Sequence, residues 1–425
     1  MKKKINHILP ALVLTASLGL TTVSCNGFLD EMPDNRTELN TDQKIAKLLV
    51  SAYADVSPNE LFELYSDNSD DSGPTYGYYK LSEQECYHWQ DTKEEYQDTP
   101  NSLWGGYYSA IAAANMALDA IEEKGNPASL DPQRGEALVC RAYCHFMLAN
   151  IFCNAYDTHA SQSLGVPYME EVETTVSPRY ERGTLEEVYR KVERDLLEGI
   201  DLISDDSYSV PKYHFTRKAA YAFAARFYLY YMKPDFSNCD RVIDFATRVL
   251  GTNPADLLRN WEALGNLSVN GNVQADAYIA SSNEANLLIS STVSNWGAIG
   301  SDYLIGPRYF HNQTLATSET CLSSGLWGSS DYFYLKPFST NGFVASILRK
   351  SGLYEGTYLY YMPVLFSTDE TLLCRAEAYA LKKMYAQSAA DITSWQRAYT
   401  RNKSVLTPEP VSYTHLRAHE TLANL

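Results

Sequence analysis

Trp296, Tyr303, Tyr309, Trp327, Tyr332 and Tyr334 crowd one stretch of the chain, and Asn283, Asn286, Asn295 and Arg308 lie among or just before them. That mixture suits recognition of a hydroxylated ring. The apolar C–H face of a sugar stacks on an aromatic face, and amides or guanidinium groups hydrogen-bond its rim. Taken singly, each aromatic reads as ordinary packing; as a group they read as a binding surface. One stacked face burying about 50 Å² supplies on the order of 1 kcal/mol. A few stacks with hydrogen bonds therefore predict roughly micromolar to millimolar affinity.

A second chemical signal is Cys25. Lys2, Lys3 and Lys4 precede an apolar run from Ile8 to Leu20, and Thr22-Val23-Ser24 leads into the cysteine. The run is short for a bilayer span and has the order of a secretory leader. Modest residues directly before a cysteine suit lipoprotein signal peptidase, so cleavage is expected before Cys25, with lipid attached to it. Residues 1–24 are read as leader. Thr22 stands where leucine is commoner in such sites.

Other chemistries find little support. The formal net charge is −17, and loss of the three leader lysines takes it to about −20. Nucleic acid is a poor partner for such a surface. Asp67, Asp70 and Asp71 offer clustered oxygens, but a calcium loop beginning at Asn68 would put Tyr79 where a bidentate glutamate belongs, so a solvated acidic loop is expected. The eight cysteines contain no CxxC pair. Cys140 and Cys144 lie one helical turn apart and read as buried thiols. No phosphate-cradling glycine loop, nucleophile elbow or zinc motif occurs. A glycosidase needs two carboxylates facing one cleft, and no acid or nucleophile motif stands out. Asp and Glu are abundant enough to supply such a pair, but no catalytic residue is assigned, and no cofactor is expected beyond the lipid.

The elements that must position these residues are mainly helical. Thr41-Asp42 starts a first helix. Leu103–Glu123 carries Trp104, Tyr107, Ile111, Asn115, Leu118 and Ile121 at helical spacing, with Gly125 and Pro127 beyond it. Trp104 belongs to that stripe and reads as core. Glu136–Tyr156 is apolar on most sides and central. Thr184 and Glu187 form a capping box, and Glu186/Arg190 and Glu187/Lys191 are i,i+4 pairs on its wet side. Thr216 caps a helix over 217–232, and 239–250 packs back on it. Ser367 and Glu370 make a second capping box, before helices over 372–383 and 386–399. Helix, short turn, helix recurs with small residues at the crossings, which resembles tetratricopeptide packing in an α superhelix. Residues 251–363 interrupt it with an irregular, loop-rich stretch rich in Ser, Asn, Gly and aromatics, the natural place for a ligand region.

The final residues have a different origin. Val411 to Thr421, VSYTHLRAHET, back-translates to a string resembling a transposon mosaic end followed by a sequencing adapter. Residues 411–425 are therefore set apart as adapter read-through. His415 and His419 go with them, and the native chain is expected to continue past Pro410.

Taken in order, several segments resemble the SusD/RagB family of outer-membrane nutrient-binding lipoproteins. They are Cys25-Asn-Gly-Phe-Leu-Asp30, Leu103-Trp-Gly-Gly-Tyr-Tyr108 with Ala114-Asn115, Gly135-Glu-Ala with Arg141-Ala-Tyr143, and Gly165-Val-Pro167. Next come Arg182-Gly-Thr-Leu-Glu-Glu-Val-Tyr189 with Asp195-Leu196, then Thr216 to Arg226, Phe366-Ser-Thr-Asp-Glu370 and Arg375-Ala-Glu-Ala378. The resemblance implies a helical region over 25–250, a ligand region over 251–363 and a closing helical pair over 364–410. It implies a lipid-anchored outer-membrane protein facing the exterior of a Gram-negative Bacteroidetes cell, binding an oligosaccharide or peptide and capping a SusC-like TonB-dependent transporter. It adds the early-loop residues Tyr76, Tyr78 and Trp89 to the candidate ligand set. A surface glycoside hydrolase and a helical protein-interaction scaffold are the competing readings.

Overall fold

Hydroxyl side chains mark where the helices begin. Thr41, Thr99, Thr184, Thr216 and Ser367 each accept a hydrogen bond from the backbone N–H three residues on, satisfying a donor that the first helical turn leaves open. The computed structural model describes residues 39–67, 69–75, 80–175, 178–268, 273–294, 308–310, 354–355 and 358–401. Trp296, Tyr303, Trp327, Tyr332, Tyr334, Tyr76, Tyr78, Asn295, Cys25, Cys321 and the adapter-like tail lie outside the described residues.

In chain order the helices are α1 (Asp42–Leu48), α2 (Asn59–Leu64), α3 (Leu81–Tyr87), α4 (Pro100–Glu123), α5 (Asp131–Phe152), α6 (Leu185–Leu202), α7 (Arg217–Tyr230) and α8 (Cys239–Leu250). The short α9 (Trp261–Gly265) and α10 (Val273–Ile279) follow, then α11 (Thr368–Leu381) and α12 (Tyr385–Tyr399). The strands are β1 (Asp70–Asp71), β2 (Asn286–Ile289), β3 (Thr292–Val293), β4 (Tyr309–Phe310), β5 (Tyr354–Glu355), β6 (Tyr358–Tyr361) and β7 (Val364–Ser367). All pairings are antiparallel: β1 with β4, β2 with β7, and β3-β6-β5. The helical pairs α4/α5, α5/α6, α7/α8 and α11/α12 pack face to face, and α11 also lies on α8. The fold is mainly α, with tetratricopeptide-like pairing as expected.

Two glycines set the α5/α6 crossing. A Cβ on Gly135 of α5 would sit 2.8 Å from the Gly199 carbonyl of α6, and one on Gly199 would sit 2.7 Å from the Gly135 carbonyl. The helices meet backbone to backbone there, which only glycine permits.

Several of the motif residues that carry the family resemblance serve as internal fasteners. Arg141 Nε donates to Asp195 Oδ2 at 2.6 Å and its Nη1 to Asn115 Oδ1 at 3.0 Å, joining α5 to α6 and α4. The strand-like strap after Gly165-Val-Pro167 is fixed to the same group: Asn115 Nδ2 donates to Met169 O, and the Met169 N–H donates to His145 Nε2 at 3.0 Å. Arg226 forks onto both Glu370 oxygens at 2.5 and 2.6 Å and donates to Leu365 O, tying α7 to β7 and α11. Arg375 forks onto Asp391 at 2.8 Å twice and donates to Gly251 O, tying α11 to α12 and the end of α8. Such pairs add little net stability over packed apolar side chains, but removing one partner of a buried pair is costly.

Several local expectations shift. α5 starts at Asp131, because Pro132 opens its first turn, and it ends where Cys153 becomes extended. The Thr184/Glu187 box forms with both of its hydrogen bonds. The Ser367/Glu370 box forms only its Ser367 half, since the Glu370 carboxylate is held by Arg226. Lys191 reaches Glu170 instead of Glu187. Residues 251–294 are less irregular than their composition suggests, because Arg259 holds α9, α10 and β2 together: it donates to Tyr278 O at 3.0 Å and to Asn286 Oδ1 at 2.6 Å.

Candidate functional site

Helix α3 ends in an unusual way. His88 is its last half-turn residue, and the next, Trp89, has φ of 55°. The Trp89 N–H donates to Cys86 O at 2.9 Å and the Gln90 N–H to Glu85 O at 2.8 Å. Those two bonds are a Schellman cap, whose left-handed position is ordinarily glycine. Helix α4 closes with the same pair of bonds and does use Gly125, with φ of 80°. An L-residue in this region costs about 1–2 kcal/mol, so placing a tryptophan there is strained, and strain of this kind gathers at functional positions.

The strain presents an indole to solvent. Trp89 is 73 % exposed, and its ring lies over Tyr65, with centroids 4.6 Å apart and planes 21° from parallel. Tyr65 directly follows α2. Burial, with Cys86 beside it, pushes its phenol up to about 12, so it stays neutral beneath the indole. The loop after Trp89 is tied back to α3: Glu85 accepts from the Lys93 N–H at 3.0 Å and pairs with its ammonium at 3.3 Å, and Glu94 accepts from the Ser82 N–H. The result is a supported aromatic shelf that can take the apolar face of a ring.

Arg308 and Tyr309 come to the neighbourhood through the β1/β4 pairing. Arg308 Nε and Nη2 fork onto Asp71 at 2.5 and 2.6 Å, and this guanidinium holds the Asp71 carboxyl below the usual carboxylate range. Arg308 thus clamps the strand pair, with its fork committed to the protein. Tyr309 is 1 % exposed. Its ring packs on Tyr87 at 4.8 Å and edge-on to His88 at 5.8 Å, so the expected ligand stack is, in the structure, a pillar under the end of α3. Asn286 is likewise buried and donates to Tyr278 O and Ala280 O, while Asn283 closes a turn by accepting from the Ala285 N–H. Trp104 is half-buried against Tyr108 and Phe152.

Of the candidate ligand residues, then, the structure presents Trp89 outward, uses Arg308, Tyr309 and Asn286 as supports, places Asn283 in a turn, and leaves the others outside the described residues. Sequence reasoning did not single out Tyr65, the partner of Trp89. The two are joined only by tertiary contact between α2 and α3, and no local spacing signals it. Cys140 and Cys144 are buried within α5, and burial pushes both thiols up. Among the described residues, no group of three or more His, Cys, Asp and Glu side chains is placed to hold a metal ion, and no helix is long and apolar enough to cross a membrane.

Residues 27–229 match the SusD-like family model described as starch-binding and associating with the outer membrane. The described chain also superposes on solved structures. A sugar-binding protein of Bacteroides vulgatus, so named provisionally, has a TM-score of 0.60 at 19 % identity, covering 92 % of this chain and 86 % of that one. A SusD superfamily protein of Bacteroides fragilis has a TM-score of 0.66 at 15 % identity, covering 90 % and 86 %. Surface glycan-binding protein A of Bacteroides uniformis has a TM-score of 0.61 at 14 % identity, again covering 90 % and 86 %. No curated protein sequence matches the chain. Residues 27–229 are thus similar to the SusD-like family, and the chain shares its fold with these solved structures.

Proposed function

We propose that this protein is a non-catalytic glycan-binding lipoprotein of the outer-membrane surface. It carries lipid on Cys25 and delivers an oligosaccharide to a SusC-like TonB-dependent transporter. The observation that carries the reading is Trp89, an exposed indole in a glycine slot, backed by Tyr65. The family description of residues 27–229 supports a starch-like or other glycan ligand at the outer membrane. Trp296, Trp327, Tyr303, Tyr332 and Tyr76 complete the proposed ligand set. Affinity from a few stacks is modest, and tethering beside a transporter offsets that by raising effective concentration.

The test is a glycan array probed with the lipid-free chain, followed by titration of each hit with Trp89→Ala, Trp296→Ala and Trp327→Ala. Loss of retention in these variants supports the reading, and unchanged retention in all three refutes it. Release of shortened sugars from a labelled polysaccharide would favour the hydrolase instead. Labelling with palmitate should mark the chain and fail with Cys25→Ala.

A further inference from the structure

A pocket lies where residues 50–55, which follow α1, meet the first half of α4, the β2–β3 turn and residues 213–214. Its volume is about 430 Å³, within the roughly 300–1,000 Å³ of small-ligand sites. One wall holds a polar chain with every link made. The Phe215 N–H donates to Tyr53 Oη at 2.7 Å, and Tyr53 donates to Glu136 Oε1 at 2.7 Å. His214 Nδ1 lies 2.6 Å from the same oxygen. Burial holds the Tyr53 phenol protonated, so Glu136 is the acceptor of both contacts and the imidazole proton sits on Nδ1. The Tyr208 ring stacks on His214 at 4.6 Å and fixes its plane.

His214 lines the pocket, and with Nδ1 committed its remaining polar atom is Nε2, which takes no protein hydrogen bond among the described residues. A buried carboxylate that orients an imidazole through Nδ1 leaves Nε2 as the fixed polar atom of the ring. Around it stand an exposed aromatic, Tyr213, and the serines Ser109, Ser290 and Ser291. Asp55 at the rim is the one carboxylate among the lining residues. An aromatic face, several hydroxyls and one oriented ring nitrogen suit a neutral ligand bearing alcohols on an apolar ring. A phosphate would meet no cation here.

We infer that this pocket is a second ligand site, separate from the Trp89 shelf, that takes one or two neutral sugar residues. An alcohol of the sugar hydrogen-bonds to His214 Nε2, and the sugar's ring face lies on Tyr213. The inference does not depend on the shelf being a glycan site, and the two fail separately.

The test uses the whole chain carrying Cys25→Ser and a panel of D-glucose, D-galactose and N-acetyl-D-glucosamine. The His214 ring nitrogen signals are followed by NMR and assigned with His214→Gln. At least one sugar should shift them saturably. Tyr213→Ala should weaken that response tenfold or more, and Ser109→Trp, which plugs the mouth from an exposed position on α4, should abolish it. Trp89→Ala should leave it unchanged. The inference is overturned if no sugar in the panel moves the His214 signals, or if the response survives both Tyr213→Ala and Ser109→Trp. A response lost in Trp89→Ala but kept in the two pocket variants assigns the binding to the shelf alone.

Discussion

Trp89 lies on Tyr65 with ring centroids 4.6 Å apart, and its backbone occupies the position that Gly125 fills at the end of α4. The two facts belong together. The left-handed turn aims the indole away from its own helix and over the end of α2, where the phenol ring supports one face and the other stays open. A glycine would close α3 with less strain and leave nothing to stack on.

Substitutions at Trp89 should therefore separate stability from binding. Trp89→Gly and Trp89→Ala both remove the shelf, so both should weaken glycan binding tenfold or more by calorimetric titration. They should differ in stability. The alanine variant keeps the strained φ, so the glycine variant should unfold at higher urea, with a difference of about 1 kcal/mol. Equal midpoints would mean that the cap carries no strain.

The α5/α6 crossing makes a sharper packing prediction. Gly199→Ala puts a methyl 2.7 Å from the backbone oxygen of Gly135, which no rotamer change relieves. The helices must part, at a cost of about 1–3 kcal/mol. Gly105→Ala is the control: it is helical and nothing lies within 4 Å of the added atom, so it should be neutral or stabilising by up to about 1 kcal/mol. Paired urea melts of the two variants check this.

The contrast between these sites shows what the sequence could disclose. Caps at Thr41, Thr184, Thr216 and Ser367 were legible, because a hydroxyl before an apolar-periodic run acts within one turn. The helical pairing was legible for the same reason, in the spacing of residues such as Leu185, Val188, Val192 and Leu196. Glu370 shows the limit. Its local pattern promises a capping box, yet Arg226 takes its carboxylate from a distant part of the chain. The Trp89–Tyr65 stack and the burial of Tyr309 depend on how α2, α3 and β4 meet, and composition cannot encode that. Aromatic enrichment alone does not separate pillars such as Tyr309 from platforms such as Trp89.

Arg375 and Asp391 test the internal fasteners. Their side chains are 4 % and 8 % exposed, and each satisfies the other's charge. Arg375→Met leaves the Asp391 carboxylate buried and unpaired, and should cost about 3–5 kcal/mol. Adding Asp391→Leu should recover most of that loss, since the pair itself is worth little against well-packed apolar side chains. A double variant no more stable than Arg375→Met would show that Arg375 acts chiefly through its bond to Gly251 O.

His145 sets an acid limit on the same scaffold. It is fully buried, stacks on Tyr168 at 3.8 Å, and accepts the Met169 N–H on Nε2. Burial depresses its imidazole from 6.5 to about 3. The folded state thus holds it neutral while the unfolded chain takes up a proton below 6.5. Between those values the unfolded state binds more protons, so stability is present above 6.5 and is lost as the pH falls, by at most about 1.4 kcal/mol per pH unit for one proton. Carboxylates add their own acid dependence, so the informative quantity is a difference. His145→Gln keeps an acceptor for Met169 but cannot titrate. Its urea midpoint should fall less steeply than that of the native protein from about pH 7 to about pH 5. Parallel slopes would mean that His145 charges freely and that the strap at Met169 opens to let it.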